Sequence, residues 1–229
     1  MGLFLLIAVA IVSFIVQWRF KSKFKTYSEI GLSSGLSGKD IAEKMLADHG
    51  IADVKIISVE GQLTDHYNPA DRTVNLSPEV YHGKSVAAAA VAAHECGHAV
   101  QHAKAYSWLQ FRSSMVPVVS VASSLVQWTL MIGVLLMAFS GNYIVLTVGV
   151  AALALVTLFS FITLPVEFDA SNRALSWLNT QGGVMSGNVD EHEQAKDALW
   201  WAAMTYVVAA LGSLATLLYY ASMLFNRRD

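Results

Sequence analysis

Five consecutive residues, His94-Glu95-Cys96-Gly97-His98, have the types and spacing for metal-assisted hydrolysis. They fall in Ser85–Ala103, an alanine-rich stretch without proline, which predicts a helix. Histidines four residues apart on a helix lie one above the other on the same face. Both imidazoles then reach one ion at the about 2.0–2.1 Å that zinc prefers. A glutamate beside the first histidine flanks such an ion without binding it. From there it can take a proton from the attacking water and hand it to a leaving amine. This is the logic of H-E-x-x-H. The neighbours Val91, Ala92, Ala93, Cys96, Ala99 and Val100 are uncharged, whereas a chance match on a surface helix would sit among charges. Gly97 lets another element come close at the metal, and Cys96, on a different face, reads as core.

A hydrolytic zinc site needs a third protein ligand and an open position. A histidine six residues past His98 would complete one known pattern, but that position is Lys104. His102 shares the helix with His98, and one rigid helix cannot wrap three imidazoles round one ion. It reads as a residue near the ligands or as plain surface. Glu167, after Leu164-Pro165-Val166, is the better third ligand. The expected set is therefore one Zn2+ held by His94, His98 and Glu167, with Glu95 as the base.

The elements that must bring these residues together are read from gaps in the charge pattern. The chain has 229 residues, 55% hydrophobic and 14% charged, with net charge −2. A soluble domain carries about a quarter charged residues. No Asp, Glu, Lys, Arg or His occurs in 1–18, in 113–166 or in 198–226. A membrane helix needs about 20 apolar residues, so the first and last gaps each fit one span. The middle gap fits two, with a turn signal at Ser140-Gly141-Asn142. Spans are predicted near 2–18, 117–139, 143–164 and 201–225. Two of them separate His98 from Glu167, so both residues emerge on one side of the membrane. The first gap lacks a basic n-region and a small-residue cleavage site, and reads as a span, not a signal peptide. Arg19, Lys21, Lys23 and Lys25 follow it and hold that side in the cytoplasm. Arg227 and Arg228 at the other end pull the opposite way, and the denser first cluster is given precedence. The domain reading is an N-terminal span (1–18), a membrane-proximal α+β segment (19–112), a transmembrane hairpin (113–166), a segment with the third ligand (167–200), and a last span with its tail (201–229).

Within the polar segment, Ser37 caps a helix that Gly50 stops. Asp53 to Val59 alternates like a strand. Gln62–Tyr67 and Arg72–Leu76 flank Asn68-Pro69-Ala70-Asp71, a turn sequence, and predict a hairpin. Such a hairpin can offer an edge strand to an extended peptide. Ser77-Pro78-Glu79 opens a short helix. The acidic run Asp190-Glu191-His192-Glu193 reads as a helix start, not a second metal site. One cysteine allows no internal disulfide, and nothing shows the basic face that nucleic-acid binding requires.

Several segments resemble the neutral zinc metallopeptidases of bacterial membranes, the YugP-like family. They are the basic stretch after the first span, LTDHYNP at 63–69, AAHECGHAVQH at 92–102, TLPVEFDASNRAL at 163–175, and Ala202 to Val207. That family in turn resembles the gluzincins, including HtpX-type and prenyl-protein endopeptidases, where a downstream glutamate is the third zinc ligand. The resemblance implies a mainly α membrane protein of about four transmembrane helices with a small α+β gluzincin-like catalytic unit. By position it also gives Glu167. Relatives with a Glu-x-x-x-Asp pattern have an aspartate where this chain has Ser171, so a supporting carboxylate has to come from elsewhere, with Asp169 as the candidate.

The function expected from these residues is zinc-dependent cleavage of membrane or membrane-proximal polypeptides by a multi-pass protein of the cell membrane, its site on the cytoplasmic side. Arg173, Tyr206 and His66 are candidate donors to the oxyanion. Two other classes fit parts of the pattern. A site-2-type intramembrane protease needs an aspartate inside a later span, and the uncharged runs hold none. A metal-stabilised scaffold has no need of Glu95.

Overall fold

The computed structural model describes residues 2–181, 184–185 and 188–225. Its elements in order are α1 (Gly2–Ser28), α2 (Gly38–Asp48), β1 (Lys55–Ser58), β2 (His66–Asn68), β3 (Thr73–Leu76), α3 (Pro78–His82), α4 (Val86–Ala103), α5 (Ser107–Ser140), α6 (Ile144–Ser176), a π-helical turn (Trp177–Gln181) and α7 (Val189–Phe225). The protein is mainly helical with one small sheet, and four of the described helices, α1, α5, α6 and α7, are long and apolar enough to cross a membrane. The chain divides into two compact units. One comprises Met1–Val16, Gln110–Leu164 and Thr205–Asp229; the other comprises Gln17–Leu109 and Pro165–Met204.

The first unit is built from apolar helix. Its core holds Leu130, Leu146 and Leu153. A Cβ on Gly133 would meet the Leu146 nitrogen at 2.5 Å, so α5 and α6 touch backbone to backbone there, as small residues permit between membrane helices. Thr157 Oγ1 and Ser213 Oγ, 2.7 Å apart, join α6 to α7. Outward positions carry large apolar side chains, with Phe4 80%, Phe14 74% and Phe139 87% exposed. The α5–α6 turn forms at the signal in the sequence. Gly141 takes φ +68°, and Asn142 Oδ1 accepts the Ile144 amide at 2.9 Å.

The long helices run beyond the spans read from the charge gaps. α5 begins at Ser107, α6 continues to Ser176, and α7 begins at Val189. A charge gap marks the stretch that lipid tolerates, but backbone hydrogen bonding continues past the bilayer edge. Pro165 stays inside α6, at the cost of one bond to the Phe161 carbonyl. Arg227 and Arg228, which bear on orientation, lie outside the described residues.

In the second unit, Ser37 and Asp40 form a full capping box on α2, and Gly50 stops that helix at φ +69°. α2, α3 and α4 pack on a sheet of order β1-β3-β2. β1 runs parallel to β3, and β2 runs antiparallel to it with Tyr67 opposite Val74. The predicted hairpin is therefore β2–β3. Asn68 Oδ1 accepts the Ala70 and Asp71 amides at 2.9 and 3.3 Å and turns the chain. Buried Ile41, Met45, Val74, Leu76, Val80, Val86, Trp177 and Leu178 make the core. α4 is almost wholly enclosed by it.

Candidate metal centre

α4 starts where Ser85 Oγ accepts the Ala88 amide at 3.2 Å, and its alanines hold a regular helix through the motif. His94 and His98 stack on one face with ring centroids 4.8 Å apart. Their Nε2 atoms point at Glu167 Oε2, from 3.3 and 3.6 Å. Glu167 arrives on α6, which crosses α4 at Gly97. A Cβ on Gly97 would lie 2.6 Å from the Ala170 carbonyl oxygen, so only glycine admits this crossing.

The hydrogen bonds behind the rings select the form that binds metal. Gln101 Nε2 donates to the Val166 carbonyl and to Asp169 Oδ2, each at 2.8 Å. Its Oε1 is thereby turned to His98 Nδ1 at 3.0 Å. An amide oxygen only accepts, so His98 Nδ1 carries a proton, and in the neutral ring Nε2 offers its lone pair on the Glu167 side. Behind the other ring, Ser171 Oγ lies 3.1 Å from His94 Nδ1. Glu167 Oε2 is buried with no hydrogen-bond partner. One carboxylate oxygen and two imidazole nitrogens converging in this way are a donor set that could hold a cation. Tetrahedral zinc with ligands about 2.0–2.1 Å away separates neighbouring ligand atoms by about 3.4 Å. The observed 3.3 and 3.6 Å fit that spacing.

Glu95 is buried beside this group, and its Oε2 accepts the Tyr67 amide of edge strand β2 at 3.0 Å. Burial pushes its carboxyl above the ordinary 4.5, against the pull of the two imidazoles. Burial also disfavours a charged His98, but the Glu167 carboxylate beside it outweighs this and raises that ring. A base held in place by a backbone amide, next to three converging ligand atoms, can do hydrolytic proton transfer.

The other residues singled out in the sequence have separate places. Arg173 Nε donates to Asp169 Oδ2 at 2.6 Å, and its guanidinium lies over the Tyr106 ring. Asp169 thus reaches His98 only through Gln101. His66 is exposed on β2, its Nδ1 beside the Thr64 carbonyl oxygen at 2.7 Å. Tyr206 is on α7 in the other unit, 40% exposed. His66 is not part of the His94–His98–Glu167 group. His102 bonds through Nδ1 to Tyr67 Oη at 2.7 Å. Cys96 is fully buried against α2, and burial pushes its thiol far up, so it is inert core. The sequence reading gave no role to Gln101, Tyr67 or Ser171. Gln101 had a signal, being three residues past His98 on the same helix face. The Tyr67 contact depends on sheet register and left no local trace.

A pair of imidazoles, a carboxylate from a second helix and a buried glutamate are together the groups that a zinc peptidase would use. The chain belongs to the family described as "Putative neutral zinc metallopeptidase", whose model matches residues 2–225. It is 40% identical over 227 residues to the "Putative membrane protease YugP" of Bacillus subtilis (strain 168), covering 99% of this chain and 98% of that protein. No solved structure matches the chain.

Proposed function

We propose that the protein is a membrane-embedded zinc endopeptidase that cleaves membrane or membrane-proximal polypeptides. His94 and His98 through Nε2, and Glu167 through its carboxylate, hold one zinc ion. When bound, the ion supplies a Lewis acid for the scissile carbonyl and lowers the pKa of water near it. Glu95 takes the proton of the attacking water and returns it to the leaving nitrogen. The Tyr67 amide fixes the Glu95 carboxylate for this transfer. Gln101, aligned by Asp169, keeps the His98 proton on Nδ1. Residues 19–112 and 167–200 carry the chemistry, and the spans keep it at the cytoplasmic face, as the Arg19–Lys25 cluster favours.

The observation that carries this reading is the convergence of two imidazole nitrogens and one orphaned carboxylate oxygen, 3.3 and 3.6 Å apart, beside a buried glutamate. Glu167 stands on α6, the helix that contains the end of the long uncharged run, which favours substrates near the bilayer.

The test compares membranes carrying wild-type protein with membranes carrying Glu95→Gln, by zinc content and by quantitative proteomics of cleaved termini. Both proteins should hold one zinc, and loss of the base should slow cleavage by about 10²–10⁴-fold. Equal cleavage by both would refute the assignment of the base. Stoichiometric zinc with no cleaved terminus in either sample would favour a scaffold.

A further inference from the structure

A cavity lies apart from His94, His98 and Glu167. It has a volume of about 940 Å³, and every residue lining it falls between 21 and 88, within the catalytic unit. One wall is a single face of α1, since Lys21, Phe24, Lys25 and Ser28 follow the i, i+3, i+4, i+7 spacing. The α3–α4 junction also lines it, through Val80, Gly83, Lys84, Ser85 and Ala88. Leu63 closes the third side from the loop before β2, at a φ of 57° that a leucine seldom adopts.

The lining combines basic side chains with apolar ones. Three lysines, Lys21, Lys25 and Lys84, line it together with Glu29 and Glu79, and Gln62 Nε2 already engages Glu79 at 2.8 Å. Among the described residues, Lys21, Lys25 and Lys84 are in no ion pair. Lys23 differs, since it pairs with Asp197 at 2.8 Å and ties α1 to α7. The α1 lysines therefore divide into one used for structure and two left facing the cavity. Along α1, Lys21 and Lys25 follow the last uncharged residue, Trp18, by about 5 and 10 Å at 1.5 Å per residue. A headgroup layer is about 5–7 Å deep on each side of the hydrocarbon. On that spacing Lys21 falls at headgroup depth and Lys25 a few ångström beyond it.

We infer that this cavity binds the phosphodiester headgroup of an anionic phospholipid, with Lys21, Lys25 and Lys84 on the phosphate and the first acyl carbons against Phe24 and Leu63. A free phosphate would leave the apolar walls uncovered, and the volume falls in the range of about 300–1,000 Å³ typical of built ligand sites. Lys84 separates a site from general attraction to an anionic bilayer. Each basic residue near such a surface adds about 1 kcal/mol, and on that basis alone Arg19 would matter as much as Lys84. This inference stands independently of the peptidase reading.

Native mass spectrometry of the full chain, released from detergent micelles with equal phosphatidylglycerol and phosphatidylcholine, provides the test. One phosphatidylglycerol should remain per chain in preference to phosphatidylcholine. Lys84→Ala and Ser28→Trp, the latter filling the cavity from the α1 side, should each reduce retention about tenfold, the loss of one good charge-assisted contact. Arg19→Ala should change it less than about twofold if only screened surface charge is lost. Equal retention of both lipids, or equal losses in all three variants, would overturn the inference. So would displacement of the lipid by soluble glycerol phosphate at equal concentration, which would make this a free-phosphate site. Far-UV circular dichroism and the thermal midpoint show whether Ser28→Trp has folded, and if it has not, the exposed Lys84→Ala decides the outcome.

Discussion

At the scale of single residues, the proposed ligands depend on groups that never touch an ion. Gln101 reads two acceptors with its amide nitrogen, so its oxygen has one orientation, and that orientation fixes the tautomer of His98. Partners of this kind typically account for 10–100-fold in metal affinity. Gln101→Ala should therefore weaken zinc binding about 10–100-fold in a chelator competition, with little change in helix content by circular dichroism. Unchanged affinity would mean that the amide only fills space. Ser171 supports His94 with a hydroxyl where related patterns place an aspartate. The carboxylate of Asp169 is instead applied one residue further back, through Gln101. The H-E-x-x-H residues and Glu167 were legible in sequence because spacing and charge gaps are local signals. Gln101 as a relay was not, because its role depends on where α6 delivers the Val166 carbonyl and Asp169.

At the scale of elements, the site is the crossing of α4 and α6. Gly97→Ala tests this with opposing magnitudes. Alanine in a helix interior is favoured over glycine by about 1 kcal/mol. Here the added Cβ meets a backbone carbonyl oxygen at 2.6 Å, which cannot rotate aside, and such overpacking costs about 1–3 kcal/mol. The clash should win. Gly97→Ala should lower the thermal midpoint and also weaken zinc binding, because the helices separate where Glu167 enters. A rise in the midpoint with zinc affinity intact would show that the crossing is loose. The capping box, the Asn68 turn and the Gly141 turn were legible, since each is written in side chains that bond their own backbone. The ends of α5, α6 and α7 were not. Charges report the edge of the bilayer, and a helix continues until a cap or a packing contact stops it. The parallel pairing of β1 with β3 was also hidden, because alternation reveals a strand and not its neighbour.

At the scale of the whole molecule, uncharged helices and a polar unit with charged caps, ion pairs and a buried site are threaded through one another in sequence. Two spans separate α4 from Glu167, and an even number is what returns the chain to the same side. The basic run Arg19–Lys25 sets the proposed orientation. Reporter fusions at Gly141 and after residue 225 should both read as outside the cytoplasm, with a fusion at Lys104 inside. The reverse pattern would place the site on the outer face and exclude cytoplasmic substrates.

The central claim is that two imidazoles of α4 and a carboxylate of α6 grip one ion together. Zinc K-edge X-ray absorption on the full chain, in wild type and Glu167→Ala, tests it most directly. Wild type should show two imidazole nitrogens with oxygen at about 2.0–2.1 Å, and Glu167→Ala should lose the metal or that oxygen shell. A sulfur scatterer at about 2.3 Å, or an unchanged spectrum in Glu167→Ala, would contradict it.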